Sequence, residues 1–174
     1  MSFLQRIFSG GKRRETLQPL YRAVVAAARN PGWYRDGQVP DTLDGRFDVL
    51  AALLALVLLR LEKEGDPARE ASVLLTELFI ADMEATLRQV GIGDYVVGKH
   101  VGRMTSALGG RLSAFRVARD AREGFEEPVR RNLFHDAAPS PGALRWAAAN
   151  LERFHRRLED MEARPLIAGQ VPPL

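Results

Sequence analysis

The chain has 174 residues, of which 46% are hydrophobic and 27% charged, with a formal net charge of +3 and no cysteine. A chain of this length and composition folds as one globular domain whose core needs no metal or disulfide. The lack of cysteine excludes disulfides, iron-sulfur ligation and thiol catalysis. Neither a secretory signal nor a transit peptide is evident at the start, so we expect a cytoplasmic protein.

Residues 1–15 combine a short apolar set with a basic cluster that precedes the first acidic residue, Glu15. This pairing suits an anionic bilayer, and it predicts weak attachment at the cytoplasmic face of the inner membrane. Because the segment is only about two turns long, packing on the domain or disorder is an equal alternative. The candidate membrane contacts are Phe3, Leu4, Ile7, Phe8, Lys12, Arg13 and Arg14.

The first strong helical pattern covers residues 16–29 and stops before Pro31 and Gly32. Residues 33–44 then read as an ordered loop whose aromatic residues need a surface to cover. In the following helix, for which we expect Asp44 as the cap and Gly65 as the terminator, apolar residues lie on nearly every face. Such a helix is typical of the middle of a bundle.

Two further long helices follow, the first ending at Gly91 and the second capped by Asp94. The second contains Gly109 and Gly110, which cost about 1 kcal/mol each relative to alanine and predict close packing or a kink. A shorter helix is expected over residues 126–134.

A loop with two prolines leads to the last helix, which starts at Ser140 and Pro141 and carries an apolar heptad seam. We find no β-type alternation and no repeat. The sequence therefore predicts an all-α, single-domain bundle of about six helices over residues 16–165. Residues 166–174 are expected to form a loose tail.

Residue patterns that carry chemistry are missing. His100, His135 and His155 do not share the helical spacing of metal ligands, and no phosphate-binding motif follows a strand. The carboxylates of Asp82 and Glu84 do not share a helix face, and no serine has the setting of a nucleophile. We therefore expect a protein that is not an enzyme, with no catalytic residue, cofactor, metal or small-molecule substrate.

Basic residues are concentrated in the helix that follows Asp94, which contains six of them and the single acid Asp120. Such a run is usually a solvated face, and helical spacing spreads these residues around the cylinder. A nucleic-acid or ribosome-binding stripe is the alternative. The six residues are Lys99, Arg103, Arg111, Arg116, Arg119 and Arg122.

The order of four short motifs resembles that of the ubiquinol-cytochrome c chaperone family, found in alphaproteobacteria and as larger mitochondrial members. Together the motifs cover roughly residues 17–165. They are Asp44-Gly45-Arg46-Phe47 with Arg60 to Gly65, Asp82-Met83-Glu84 with Arg88 and Gly91, Gly93-Asp94 with Gly98-Lys99, and Arg131-Asn132-Leu133-Phe134.

The resemblance implies an assembly chaperone for the cytochrome bc1 complex (ubiquinol-cytochrome c reductase) that binds newly made cytochrome b or another subunit of the complex. It also implies a small partner protein and a position near the ribosome. A helical surface with unfilled grooves can shield apolar segments of such a client. The alternative for each aromatic residue is that it covers its own core. The candidate partner contacts are Trp33, Tyr34, Tyr95, Val96, Val97, Lys99 and Arg103.

Overall fold

A computed structural model describes residues 3–135 and 137–174, and within them the side chains of residues 15–65, 68–135 and 137–174. These residues form one helical domain without a strand, which confirms the predicted fold class. The elements are α1 (Phe3–Ala28), α2 (Gly32–Arg35), α3 (Leu43–Glu62), α4 (Asp66–Gln89), α5 (Asp94–Ala121), α6 (Glu126–Val129), a π-helical segment (Arg130–Phe134), α7 (Pro141–Glu159) and α8 (Ala163–Ile167).

Helix α3 lies at the centre of the bundle, as its apolar residues predict. Every side chain from Phe47 to Leu61 is buried, and α1, α4, α5 and α7 all pack against this helix. Burial on all sides explains why the hydrophobic residues of α3 are not confined to one face.

The start of α3 differs from the prediction, because Thr42 and not Asp44 caps it. The Thr42 hydroxyl accepts a hydrogen bond from the Gly45 amide at 3.1 Å, and Asp44 already belongs to the first turn. A Cβ atom at Gly45 would lie 2.0 Å from the Pro40 carbonyl oxygen, so the chain can enter the helix this way only with glycine.

Both predicted helix terminators adopt a conformation that favours glycine, with φ of +69° at Gly65 and +86° at Gly91. Asp94 is not the cap of α5. That position is taken by Gly93, and the Asp94 carboxylate in the first turn accepts a hydrogen bond from Arg88 Nε at 3.1 Å.

Helix α5 runs without a break through Gly109 and Gly110. A Cβ atom at either glycine would have no neighbour within 4 Å, so the predicted close packing is wrong. Both residues lie on the exposed side of the helix, which explains why nothing approaches them.

The C-terminal helices follow their predicted positions. Helix α6 and the π-helical segment cover residues 126–134, and the Ser140 hydroxyl caps α7 by accepting from the Ala143 amide at 3.2 Å. The heptad leucines Leu144, Leu151 and Leu158 are buried in the core.

The two ends of the chain depart from the predicted boundaries. Helix α1 begins at Phe3 and not at residue 16. The tail is packed and not loose, because Leu166 is fully buried and Val171 and Leu174 contact the core. Its apolar side chains therefore cover part of the core next to α1.

Candidate functional site: a groove between the first five helices

An open groove lies where the second half of α1 meets the start of α3 and the second half of α4. It encloses about 160 Å³ and has a predominantly apolar lining. The apolar lining residues are Val25, Ala28, Leu43, Phe47, Leu50, Met83 and Met104, and the polar ones are Arg29, Tyr34, Arg46, Asp82 and Thr86.

A second, wider depression of about 640 Å³ continues from this groove along α1 and α4. The two share Val25, Arg29 and Asp82, so they form one elongated surface. We call the combined surface the α1–α4 groove. An elongated depression of this kind suits an extended or helical segment better than a compact small molecule.

The apolar lining of the groove is adaptable. Leu43 is 41% exposed at its edge, and Met83 of α4 and Met104 of α5 both line it. Methionine side chains are unbranched and polarizable, and they adjust to apolar partners of different shape. The groove can therefore contact apolar segments without requiring one defined sequence.

The polar rim is held in place by contacts within the protein. Tyr21 donates a hydrogen bond to the Asp82 carboxylate at 2.7 Å, and burial together with this bond raises the pKa of Tyr21. The Tyr34 hydroxyl donates to the Ala28 carbonyl at 2.8 Å, while the Arg46 guanidinium lies 5.2 Å from the centre of the Tyr34 ring. These contacts keep the rim open around the apolar floor.

Two of the motifs behind the family resemblance meet in this groove. Arg46 and Phe47 come from the first motif and Asp82 and Met83 from the second, and all four residues line it. The sequence analysis did not foresee the groove. Its residues come from five helices, and their convergence depends on how those helices pack.

The predicted partner contacts divide into buried and exposed residues. Trp33 is fully buried, donates from Nε1 to the Ala27 carbonyl and packs edge-on against Trp146 at 5.5 Å. Val97 is also buried. Neither side chain is open to a partner, which corrects the prediction for both, since each covers the core of its own domain.

The remaining predicted partner contacts are accessible to different degrees. Tyr34 is half-buried and lines the α1–α4 groove. Tyr95, Val96, Lys99 and Arg103 lie exposed at the beginning of α5, outside the groove. The predicted membrane contacts, Phe3 to Arg14, lie outside the described side chains and stay a prediction.

The basic residues of α5 do not form one continuous stripe. Arg111 is buried and ion-paired with Asp48, Arg116 pairs with Glu62 at 2.7 Å, and Arg119 pairs with Asp120. Lys99 and Arg103 at the start of the helix and Arg122 just after its end are the exposed members of the basic set. A nucleic-acid stripe along the whole helix is therefore not favoured.

A polar cluster that the sequence analysis missed joins α3, α5 and the end of the π-helical segment, with Asp48 and Arg111 buried and His135 exposed at its edge. The Asp48 carboxylate contacts Arg111 and, at 2.8 Å, His135 Nε2, and Arg111 also donates to the Asn132 carbonyl at 2.7 Å. Burial raises the pKa of Asp48 against the opposing effect of Arg111. The cluster joins Asp48, which directly follows the first motif, to Asn132 of the fourth motif through Arg111, and it has a structural role.

Neither a metal cluster nor a spanning helix is found in the described part of the chain. No group of three or more His, Asp or Glu side chains there is arranged to hold a metal ion. Within the same residues, no helix combines the length and the apolar character needed to cross a bilayer.

Comparison with known proteins places this chain in a family. The model of the family described as ubiquinol-cytochrome C chaperone matches residues 35–172. The crystal structure of the Cbp3 homolog from Brucella abortus superimposes with a TM-score of 0.81 at 28% identity, over 99% of this chain and 97% of that one. No curated protein matches the chain. The match over most of its length shows that the chain belongs to the ubiquinol-cytochrome C chaperone family.

Proposed function

We propose that this protein is a non-enzymatic assembly chaperone for ubiquinol-cytochrome c reductase that binds newly made cytochrome b on the cytoplasmic side of the inner membrane. Family membership supports the general role in assembly of the complex. The observation that carries the finer statement is the α1–α4 groove, which offers an apolar surface to a segment of another protein.

The chemistry of the groove fits an unassembled membrane subunit. Such a subunit exposes apolar helices before its haem groups and partner subunits arrive, and these helices aggregate unless they are covered. An apolar groove with methionines on its floor accepts a helix face through side chains at positions i, i+3, i+4 and i+7. The shallow, open form of the groove allows the client to leave again during assembly.

The charged residues on the rim of the groove suit the polar loop at the end of an apolar client helix. Arg29 and Arg46 lie beside the groove, and Asp82 lies between its two parts. Short polar loops flank the apolar helices of a membrane protein, so polar groups on the rim can meet the loop while the floor covers the helix. The small partner protein and the ribosome contact implied by the family resemblance are further proposals.

A knockout tests the role in assembly. Loss of the gene should remove the haem b absorbance of the reductase from membranes and lower ubiquinol oxidation, because uncovered cytochrome b is degraded. Membranes of the knockout that keep full ubiquinol oxidation and normal cytochrome b would contradict the proposal.

Groove variants test the site. Leu43→Glu and Met104→Glu place a charge in the apolar lining of the groove, and they should fail to restore haem b absorbance in the knockout. Val117→Glu is the matched control, because Val117 is 63% exposed on α5 and lies outside the groove. Equal complementation by all three variants, at equal protein levels, would place the client elsewhere.

A further inference from the structure

We propose that the turn between α4 and α5 binds the headgroup region of an anionic lipid bilayer. This tip of the molecule consists of the last turn of α4, residues 90–93 and the first turns of α5. The proposal goes beyond the chaperone role and rests on the exposure and charge of these residues.

Exposed apolar side chains are concentrated at the tip. Among the described residues, six large hydrophobic side chains are exposed, and three of them, Val90, Tyr95 and Val96, lie between residues 90 and 96. Tyr95 is 100% exposed and Val90 is 57% exposed. Tyrosine favours the membrane-water interface because its ring is apolar and its hydroxyl is polar.

Positive charge accompanies these apolar residues. Lys99 and Arg103 follow Tyr95 at steps of four residues and so lie near it on the exposed side of α5. The described residues provide neither cation with a carboxylate partner, and Arg103 contacts only the His100 ring, at 2.7 Å, among them. The nearby Asp94 is paired with Arg88 at 3.1 Å. Anionic lipid headgroups complement such a pair of cations next to an apolar tip.

The tip is supported from below by its own small core. Leu87, Val97 and Val101 are buried together there, apart from the main core of the bundle. Because this core fixes the first turns of α5, Tyr95 and Val96 are presented outward on a rigid support. Gly98 and Gly102 on the same helix have no neighbour within 4 Å of a Cβ position, so the helix backbone can approach a flat surface.

The tip also lies close to the α1–α4 groove. Thr86 and Met104 line the groove, while Val90 is one turn beyond Thr86 on α4 and Arg103 directly precedes Met104 on α5. Contact of the tip with a bilayer would therefore hold the groove near the point where apolar segments of a membrane protein enter the lipid.

Vesicle co-sedimentation of the full chain tests the proposal. We would compare vesicles of phosphatidylcholine alone with vesicles of phosphatidylcholine and phosphatidylglycerol in equal parts. Lys99→Gln with Arg103→Gln should lower the partition onto anionic vesicles about 25-fold, since each basic residue near such a surface contributes about fivefold. Tyr95→Ser with Val96→Ser should lower it about tenfold or more.

Val117→Ser provides the matched control, because it also removes an exposed valine from α5 but lies far from the tip. It should sediment like the wild type, and circular dichroism should show the same helix content for all variants. Equal sedimentation of the tip variants and the control would overturn the proposal, and so would wild-type binding that does not depend on anionic lipid. Either result leaves the groove and the chaperone role untouched.

Discussion

Arg60 shows how a single side chain joins two ends of the bundle. It is buried at the end of α3, donates from Nε to the Leu158 carbonyl at 2.9 Å and from Nη2 to the Met161 carbonyl at 2.5 Å. Leu158 lies in the last turn of α7, and its carbonyl also accepts from the Met161 amide at 3.1 Å. Met161 lies just beyond the helix end, where carbonyls lack helical partners. One arginine of the first motif therefore caps the last long helix.

Replacement of this arginine should destabilise the fold. Arg60→Met keeps much of the side-chain volume but leaves the Met161 carbonyl without a donor and the Leu158 carbonyl with only backbone donors. We expect a loss of about 1–3 kcal/mol in the free energy of unfolding. Urea denaturation followed by circular dichroism measures it. Arg35→Met is the control, because Arg35 is exposed and its ion pair is with the neighbouring Asp36, so the variant should leave the free energy of unfolding almost unchanged. Equal losses for the two variants would contradict the capping role.

His155 connects stability to pH. Burial, reinforced by the positive charges of Lys63, Arg119 and Arg156, lowers the pKa of His155 from 6.5 to about 4. The folded state therefore holds this imidazole neutral, while the unfolded chain binds a proton below about pH 6.5. The contribution of the neutral His155 side chain to the free energy of unfolding is fully present above about pH 6.5 and is lost as the pH falls towards 4.

We expect the free energy of unfolding of the wild type, measured by urea denaturation, to fall between pH 7 and pH 5. For His155→Gln the fall should be smaller by about 1 kcal/mol. Glutamine has a similar size and does not titrate, so the difference between the two slopes reports the imidazole. Parallel slopes for wild type and variant would show that another group controls the acid sensitivity.

At the scale of the helix, glycine has opposite effects at two places. At Gly109 in the middle of α5, a Cβ meets nothing within 4 Å, so Gly109→Ala should stabilise the protein by about 1 kcal/mol. At Gly45 near the start of α3, a Cβ would collide with the Pro40 carbonyl oxygen, so Gly45→Ala should destabilise it. Thermal unfolding measures both, and destabilisation by Gly109→Ala would reveal a contact on the open face of α5.

The helices that could be predicted from sequence are those with a clear pattern of burial. Helix α3 is apolar on all sides and lies at the centre, and α7 carries a heptad seam that is buried as expected. Helix caps were harder to predict from the sequence. Thr42 and Asp44 are both good capping residues, and only the backbone path past Pro40 decides between them. The packing of residues 166–174 on the core was not predicted, because their few apolar residues show no periodicity.

The candidate site could be predicted only in part, since it is a property of packing. Met83 and Met104 are 21 positions apart in the chain and carry no functional signature of their own. They come to line one groove because α4 and α5 pack against each other. Trp33, in contrast, was a predicted partner contact because it is an aromatic residue in a predicted loop. Its ring packs against Trp146 and its Nε1 atom donates to the Ala27 carbonyl, so both contacts lie inside the domain.

On the scale of the whole molecule, the fold presents two different surfaces close to each other. The α1–α4 groove is apolar with a polar rim, and the tip between α4 and α5 is apolar with two cations that have no carboxylate partner among the described residues. A chaperone for a membrane subunit needs both properties, because its client must be covered near the bilayer and released into it. We propose that the groove holds cytochrome b.

Site-specific photo-cross-linking in growing cells tests that claim most directly. A photoreactive amino acid would replace Leu43 or Met104 in the groove, or Val117 as the control on the far part of α5. We predict that the groove positions form adducts with newly made, tagged cytochrome b and that the control position does not. Groove adducts without cytochrome b, or equal yields at Val117, would contradict the account.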